Sequence, residues 1–331
     1  MQCISNNGIT DPRVNLALEE YCLKNLDPDT DYLLFYVNDP SIIIGRFQNT
    51  LEEINQNYVD ANGIHVVRRI SGGGAVYHDH GNLNFSFMTR FVRDNVLNFR
   101  KFTEPVIKAL KALGIEAELT GRNDILAQGK KISGNAQYAT RASMLTHGTL
   151  LFDSDMEILV RALNVSQEKI TSKALKSVRS RVTNIRECLP EPMDMAAFST
   201  HLIKTLFAPF GGVRTCELTP DQWDAVHELA ATKYGNWEWN FGKSPRFNVQ
   251  KKKRFPVGQV DTRIQVEAGI ITLVKIYGDF LGHGEIQGLE SLLTGQVFRK
   301  DRLEQCLENV DLSQYFGAME TREFIAYLCE D

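Results

Sequence analysis

Ser71-Gly72-Gly73-Gly74-Ala75-Val76-Tyr77, with Arg68-Arg69 before it and His78-Asp79 after it, is the stretch of this chain best suited to chemistry. Three consecutive glycines bring no side chain to a core and cost backbone entropy. They belong where the main chain passes close to another group with its N–H bonds free. Two arginines and a histidine at the ends make that group an anion. Familiar glycine motifs do not fit. Gly129-Lys130 continues to Lys131, and Asp124 stands where a phosphate loop needs its first glycine. The contiguous glycines lead into Ala-Val-Tyr-His, which reads as a strand, not into the helix that a dinucleotide fingerprint requires. Arg69 occupies the first glycine position of a nucleophile elbow.

Two further stretches carry candidates. Gly121-Arg122-Asn123-Asp124 precedes Gly129-Lys130-Lys131-Ile132-Ser133-Gly134-Asn135-Ala136. Strand side chains alternate between faces, so only one of Lys130 and Lys131 can face a pocket; a solvated hairpin tip is the plainer reading. His147-Gly148-Thr149 opens an apolar strand, where a histidine serves either the core or a ligand. His78-Asp79-His80 lacks a third ligand at zinc spacing. Lys173, Lys176, Arg179 and Arg181 lie together without an acid, as a solvated face or as a mobile loop that would keep water from a labile product. Converging in one pocket, Arg69, one lysine, His78, His147 and bare glycine N–H groups suit a carboxylate beside a polyphosphate. Such a site lets the carboxylate attack the α-phosphate by proximity, a contribution of up to roughly 7–11 kcal/mol, with cations and N–H donors stabilising the developing charge.

The elements that must position these groups alternate along the chain. Asp11 to Lys24 is a capped amphipathic helix with apolar Val14, Leu18, Tyr21 and Cys22. Tyr32–Val37 and Ser41–Phe47 read as strands, joined by Asn38-Asp39-Pro40 as a hairpin. Ile64–Ile70 delivers the glycine loop, and Asn82–Thr89 alternates as a half-buried strand. A helix from Phe99 to Leu113 stops at Gly114, and four strands follow between Glu116 and Phe152. Helices over Met156–Leu163, Met193–Phe207 and Trp223–Tyr234 come next. Lys243-Ser244-Pro245 marks a boundary, placing a catalytic unit at 1–244 and a small α+β unit at 245–331. Lys251-Lys252-Lys253-Arg254 reads as a solvated hinge or strand edge. The large unit is expected to be α+β around a mixed or antiparallel sheet.

Composition agrees with this plan. The chain has 331 residues, 43% hydrophobic and 24% charged, room for two cores. A net charge of −4 gives no global case for nucleic acid, and no apolar run reaches membrane-spanning length. Six scattered cysteines without C-x-x-C pairing or a preceding signal peptide lead to the expectation of reduced thiols in a cytoplasmic protein.

The stretch Arg68-Arg69-Ile70-Ser71-Gly72-Gly73-Gly74-Ala75-Val76-Tyr77-His78-Asp79-His80-Gly81-Asn82 resembles the signature of lipoate–protein ligases. Gly121-Arg122-Asn123-Asp124, Lys131-Ile132-Ser133-Gly134, His147-Gly148-Thr149-Leu150 and Ser177-Val178-Arg179-Ser180-Arg181-Val182-Thr183-Asn184 follow in the family's order, and the tail is similar to its accessory domain. The resemblance implies the fold shared with biotin–protein ligases and class II tRNA synthetases, and a two-step reaction. Lipoate and Mg-ATP give lipoyl-AMP, and a lysine of an acceptor lipoyl domain then takes the acyl group as an amide. It implies that Lys131, in preference to Lys130, touches both lipoate and α-phosphate. Arg69 and the backbone of Gly74, Ala75, Val76 and Tyr77 hold nucleotide, with Arg179 over it. Arg69, Ser71, Gly72, His78 and His147 border the lipoyl slot. Asn82 and Asp124 lie near phosphate or magnesium, unless Asp124 only braces Lys131 and Asn82 only caps a turn. The implied acceptors are 2-oxoacid dehydrogenase subunits or the glycine-cleavage H protein, and the enzyme is expected to be a monomer.

Two rivals belong to other classes. An acyltransferase acting from an acylated carrier protein needs a cysteine nucleophile. None lies between Cys22 and Cys188, the interval holding all the motifs. A non-catalytic acyl-group binder has no evident use for Lys131 or for the tail.

Overall fold

The computed structural model describes residues 1–163, 180–241, 249–267 and 269–329. The strands are β1 (Gln2–Ile4), β2 (Tyr32–Val37), β3 (Ser41–Ile44), β4 (His65–Arg68), β5 (Val76–His78), β6 (Asn82–Arg90), β7 (Ala117–Thr120), β8 (Asp124–Ala127), β9 (Lys130–Ala139), β10 (Ser143–Leu151), β11 (Thr215–Cys216), β12 (Val249–Phe255), β13 (Gly258–Glu267) and β14 (Ile270–Gly278). Eight form the main sheet in the order β11-β1-β2-β6-β10-β9-β8-β7. Its β11, β1 and β2 pair in parallel and the rest antiparallel, so the sheet is mixed as expected.

Helices cover both faces. Phe99–Ala112 and Met195–Phe207 lay Phe102, Val106, Leu110, Phe198 and Leu202 on Leu33, Phe85 and Ile125. On the other face lies α1 (Pro12–Asn25), started by the Asp11 carboxylate accepting from Arg13 N–H, with Pro12 in its first turn. A capping box between Thr219 and Gln222 starts Pro220–Leu229, which runs on as a π-turn to Tyr234. Its Tyr234 hydroxyl and Lys233 ammonium meet the buried Glu20 carboxylate of α1 at 2.6 and 2.7 Å.

The hairpin expected at Asn38-Asp39-Pro40 does not form. β2 belongs to the main sheet, whereas β3 pairs with β4 and β5 in a separate small sheet. The segment instead carries the chain from one sheet to the other, because Ile42 and Ile44 are buried with Val59, Ile64 and Tyr77 away from β2.

The tail builds its own core. β12, β13 and β14 form an antiparallel sheet under Ile286–Leu293, Lys300–Leu307 and Thr321–Cys329. Lys251–Arg254 lies on the edge strand β12, where charged side chains discourage further strand pairing. The expected boundary at 244–245 lies outside the described residues. The seam between the two units is specific. Phe47 stacks on Phe280 with ring centroids 4.7 Å apart, Gly278 N–H donates to the Phe47 carbonyl at 2.7 Å, and Arg46 pairs with Glu285. Among the described residues no helix is long and apolar enough to cross a membrane.

Candidate active site

The glycine loop is held by its own arginine. Arg69 donates Nε–H to Ser71 Oγ at 3.0 Å, one terminal nitrogen to the Ile43 carbonyl at 3.0 Å, and the other to the Gly72 and Gly74 carbonyls at 2.6 and 2.9 Å. Turned toward Arg69, these carbonyls leave the loop's N–H groups for other partners. Gly73 has φ +92, and a side chain on Gly45 would overlap the Gly73 carbonyl, so two backbones cross here. Burial lowers the Arg69 guanidinium to about 10, which leaves it charged at neutral pH. Arg68, read from sequence as a second cation for the anion, serves the fold instead. Its donors go to the Gly45, Arg46, Gln48, Trp239 and Asn240 carbonyls and to Thr50 Oγ1.

Beside the loop lies a cavity of about 140 Å³. Alternation along β5 explains its wall: Val76 and His78 face the cavity, and Tyr77 turns into the core behind. A row across the main sheet forms its floor. Tyr36 of β2 faces Asn84 of β6, which faces Thr149 of β10. Gly134 N–H donates to Thr149 Oγ1 at 3.3 Å, and Gly134 in turn faces Asp124. Lys131 hangs over this last position: a Cβ added at Gly134 would lie 3.1 Å from Lys131 Nζ. The same ammonium pairs with Asp124 at 2.8 Å. Lys131 N–H donates to the Arg181 carbonyl at 2.7 Å, so Val182 fixes its backbone. Lys130 faces the other way, into a polar cavity beside Ser154 and Thr183.

At the opposite end a buried chain of hydrogen bonds closes the pocket. Glu19 of α1 accepts from the Tyr36 hydroxyl at 3.0 Å, from Ser86, and from His147 Nδ1 at 3.0 Å. With Nδ1 donating to the carboxylate, His147 Nε2 accepts from the Ser71 hydroxyl at 2.6 Å, and Ser71 Oγ accepts from Arg69. His78 lies beside this chain. Burial, with Arg69 and His147 nearby, holds its imidazole down at about 3, so it is neutral in the working range.

The structure therefore brings Arg69, Gly74, Ala75, Val76, His78, Lys131 and His147 to one cavity. Ser71 lies just behind its wall, as the link between Arg69 and His147. Gly72 turns away: a side chain there would overlap the Phe280 carbonyl of the tail unit. Asn82 is fully buried and donates to Asn84 Oδ1 at 3.1 Å, one residue removed from the cavity. Asp124 braces Lys131. Arg179, with Lys173 and Lys176, lies outside the described residues. Sequence reasoning missed Glu19, Tyr36, Asn123 and Asn135. The sequence carried no separate signal for Glu19, because Glu19 and Glu20 are both buried on a helix whose buried residues run round it.

A second, more polar cavity of about 260 Å³ runs from Gly74–Ala75 between the two units, along Gln48, Lys252, Gln259 and Asp279. No cysteine lines the main cavity, and burial pushes the Cys22 thiol well above its ordinary range. Among the described residues no group of three or more His, Cys, Asp or Glu side chains is placed to hold a metal.

Comparison with known proteins agrees with this geometry. Residues 11–207 match the lipoyl protein ligase A/B catalytic domain, and residues 244–328 the bacterial lipoate protein ligase C-terminus. The chain is 52% identical to the lipoate-protein ligase LplJ of Bacillus subtilis, covering 98% of this chain and 99% of that one. Its fold is that of LipL1 from P. falciparum, solved in complex with lipoate, with TM-score 0.82 and 23% identity over 100% of this chain and 99% of that one. A lipoate-protein ligase A solved with bound ATP superposes with TM-score 0.63 at 31% identity, over 73% of this chain and 98% of that one. The chain thus belongs to the lipoate–protein ligase family, with both the catalytic domain and the C-terminal domain of its bacterial members.

Proposed function

We propose that this ligase joins lipoate to a protein lysine in two steps, both at the Lys131 end of the cavity. A lipoate carboxylate oxygen attacks the α-phosphorus of ATP, forming the acyl–phosphate bond as pyrophosphate leaves. A neutral lysine amine of the acceptor then attacks the acyl carbon, and AMP leaves as the amide forms. The observation that carries this reading is the placement of the Lys131 ammonium over Gly134, in the wall of a cavity that the backbone of Gly73 to Val76 also lines. One cation between a carboxylate and an α-phosphate offsets their repulsion and stabilises the charge of the transition state.

Arg69 acts through the loop: by gathering the Gly72 and Gly74 carbonyls it fixes the loop whose backbone, from Gly74 to Tyr77, we assign to the nucleotide. His147 forms part of the slot's inner wall, with Ser71 holding it from behind. Magnesium fits this site as the counter-ion of ATP, since triphosphate oxygens and one or two carboxylates suffice to hold it, and Asp124 is the carboxylate at hand. When bound it neutralises phosphate charge. We assign the acceptor to a lipoyl domain of a 2-oxoacid dehydrogenase complex, to the H protein of glycine cleavage, or to both, and the enzyme to the cytoplasm as a monomer. Transfer from an acylated carrier protein is the rival, and the absence of a thiol from the cavity lining speaks against it.

The test is the intact mass of an apo lipoyl domain incubated with this protein, lipoate and Mg-ATP, beside an ATP-free control. A lipoyl mass gain that requires ATP supports the reading. Modification from an acylated carrier protein without ATP, and none with free lipoate, overturns it.

A further inference from the structure

Arg122 stands in the motif that leads to Asp124, yet it does not line the cavity. It lies half-buried in the turn from β7 to β8, and its guanidinium reaches across the seam to the tail. One terminal nitrogen donates to the Val257 carbonyl, in the turn between β12 and β13. The other approaches the Asp279 carbonyl, just after β14, at 3.5 Å. The tail holds this corner with its own bonds. Asp279 N–H donates to the Gln259 carbonyl at 3.2 Å, and its carboxylate accepts from Gln259 N–H and pairs with Arg254 at 3.3 Å. A guanidinium, with its donors in a fixed fork, suits two carbonyls at once.

The next two residues lead into the site. Asn123 is clamped to β9: its Nδ2–H donates to the Asn135 carbonyl, and Asn135 returns its N–H and Nδ2–H to the Asn123 carbonyl at 3.0 and 2.9 Å. Asp124 opens β8 opposite Gly134 and takes the Lys131 ammonium at 2.8 Å. Lys131 is within reach because the ladder between β8 and β9 slips. Ile125 faces Ser133, but Leu126 faces Lys131, which leaves Ile132 as an extra residue. In an unbroken strand Lys131 and Gly134, three residues apart, would point to opposite faces. The bulge turns Lys131 to the face of Gly134 and Asp124. Its backbone is fixed by the Arg181 carbonyl and the Thr183 N–H, so what is left to set is the direction of the long side chain.

We infer that Arg122 is a positioning residue for Lys131: anchored on the Val257 and Asp279 carbonyls of the tail, it fixes the turn from which Asp124 holds the ammonium over the cavity. The tail then acts on the reacting centre through three consecutive residues of the catalytic unit. Were the turn to shift, its carboxylate would draw the ammonium away with it, and a misplacement of about 1 Å can cost on the order of 100-fold in rate. The seam's other charged contact, Arg46 with Glu285, holds the tail from the end of β3 and serves as the control.

The inference rests on the ligase reading, and two measurements keep them apart. Hydrogen exchange of the full chain, read by mass spectrometry, needs no substrate. In Arg122→Ala the peptides spanning 121–135 are expected to exchange faster than in the parent, with β6 unchanged. Unchanged exchange at 121–135 overturns the inference. Rates of lipoyl-AMP formation then test the coupling. Arg122→Ala is expected to lower kcat about tenfold or more, with KM for lipoate within about twofold of the parent. Glu285→Gln is expected to leave both unchanged. In a Lys131→Ala background, Arg122→Ala is expected to cost less than about twofold, because no ammonium is left to place. Equal losses in the two backgrounds, or an equal loss from Glu285→Gln, overturn the inference, since a general defect of the seam would give them. Arg122→Lys, which keeps the charge but cannot reach both carbonyls, carries the same comparison if the alanine variant does not fold. If the parent protein forms no adenylate, the ligase reading fails, while exchange still decides whether Arg122 holds the turn.

Discussion

Two carboxylate contacts close the two ends of one pocket, and they differ in almost everything except length. Lys131 meets Asp124 at 2.8 Å with both side chains 37% exposed. His147 meets Glu19 at 3.0 Å with side chains 10% and 1% exposed. The first pair is screened by water, is worth little to the fold, and can be traded for substrate charges. The second is wired to Tyr36, Ser86, Ser71 and, through Ser71, to Arg69. Breaking it would strand several buried groups. In the reading proposed above, the end assigned to chemistry stays exchangeable, because ATP and an acceptor lysine must both reach it. The end assigned to the acyl chain is then preorganised, because nothing needs to move there.

The sharpest break in that contrast is expected from Lys131→Ala. Loss of a charge stabiliser at the reacting centre should cut lipoyl-AMP formation by about 100- to 1,000-fold, with an unchanged melting temperature. Lys130→Ala, on the opposite face of β9, should leave the rate near that of the parent. A Lys131→Ala variant that makes adenylate at the parental rate would remove the chemistry from that end.

Glu19→Ala should do the reverse. It leaves the Tyr36 and Ser86 hydroxyls and His147 without their shared acceptor, at a cost of about 3 kcal/mol or more. Urea titration would show this as a lower midpoint. If the midpoint does not move, the buried end is not wired as described.

His78 gives a smaller effect with a definite sign. Its folded value, about 3, lies below the ordinary 6.5. Between those values the unfolded chain binds the proton and the folded chain does not, so stability falls as pH drops from about 6.5 toward 3. The slope is up to roughly 1.4 kcal/mol per pH unit. Denaturation midpoints of His78→Phe should fall less steeply with acid than those of the parent; identical slopes would contradict the neutral buried ring.

Asp124→Asn should matter least to the fold, within about 1 kcal/mol. Freed of its carboxylate, Lys131 should still support adenylation, with a changed KM for Mg-ATP if Asp124 stands near the metal. A large loss of stability would show that the exchangeable pair is structural after all.

How much of this was legible in the sequence depended on the signal's range. The glycine loop, Lys131, His78 and His147 stood out because glycines and charged groups interrupt strand patterns, and β5 and β9 then sort them by simple alternation. The Lys130–Lys131 choice needed only a face, and the sheet supplied it. Glu19 was hidden because a helix buried on several sides carries polar residues where a single apolar stripe would not. Asn38 was misread because Asn-Asp-Pro marks a change of direction without saying which sheet receives the next strand. Arg68 and Arg69, adjacent and alike, proved to hold two different loops, a distinction set by alternate faces of a strand and its exit.

The measurement that tests the central claim most directly is capture of the intermediate. The protein is incubated with lipoate and ATP labelled at the α-phosphate, with magnesium and without any acceptor, and the products are separated after acid quench. A labelled acyl-adenylate that forms only with lipoate present, with one pyrophosphate released for each, is the expected result. ATP left intact under these conditions, while an acyl carrier donates its chain to the acceptor domain, would contradict it.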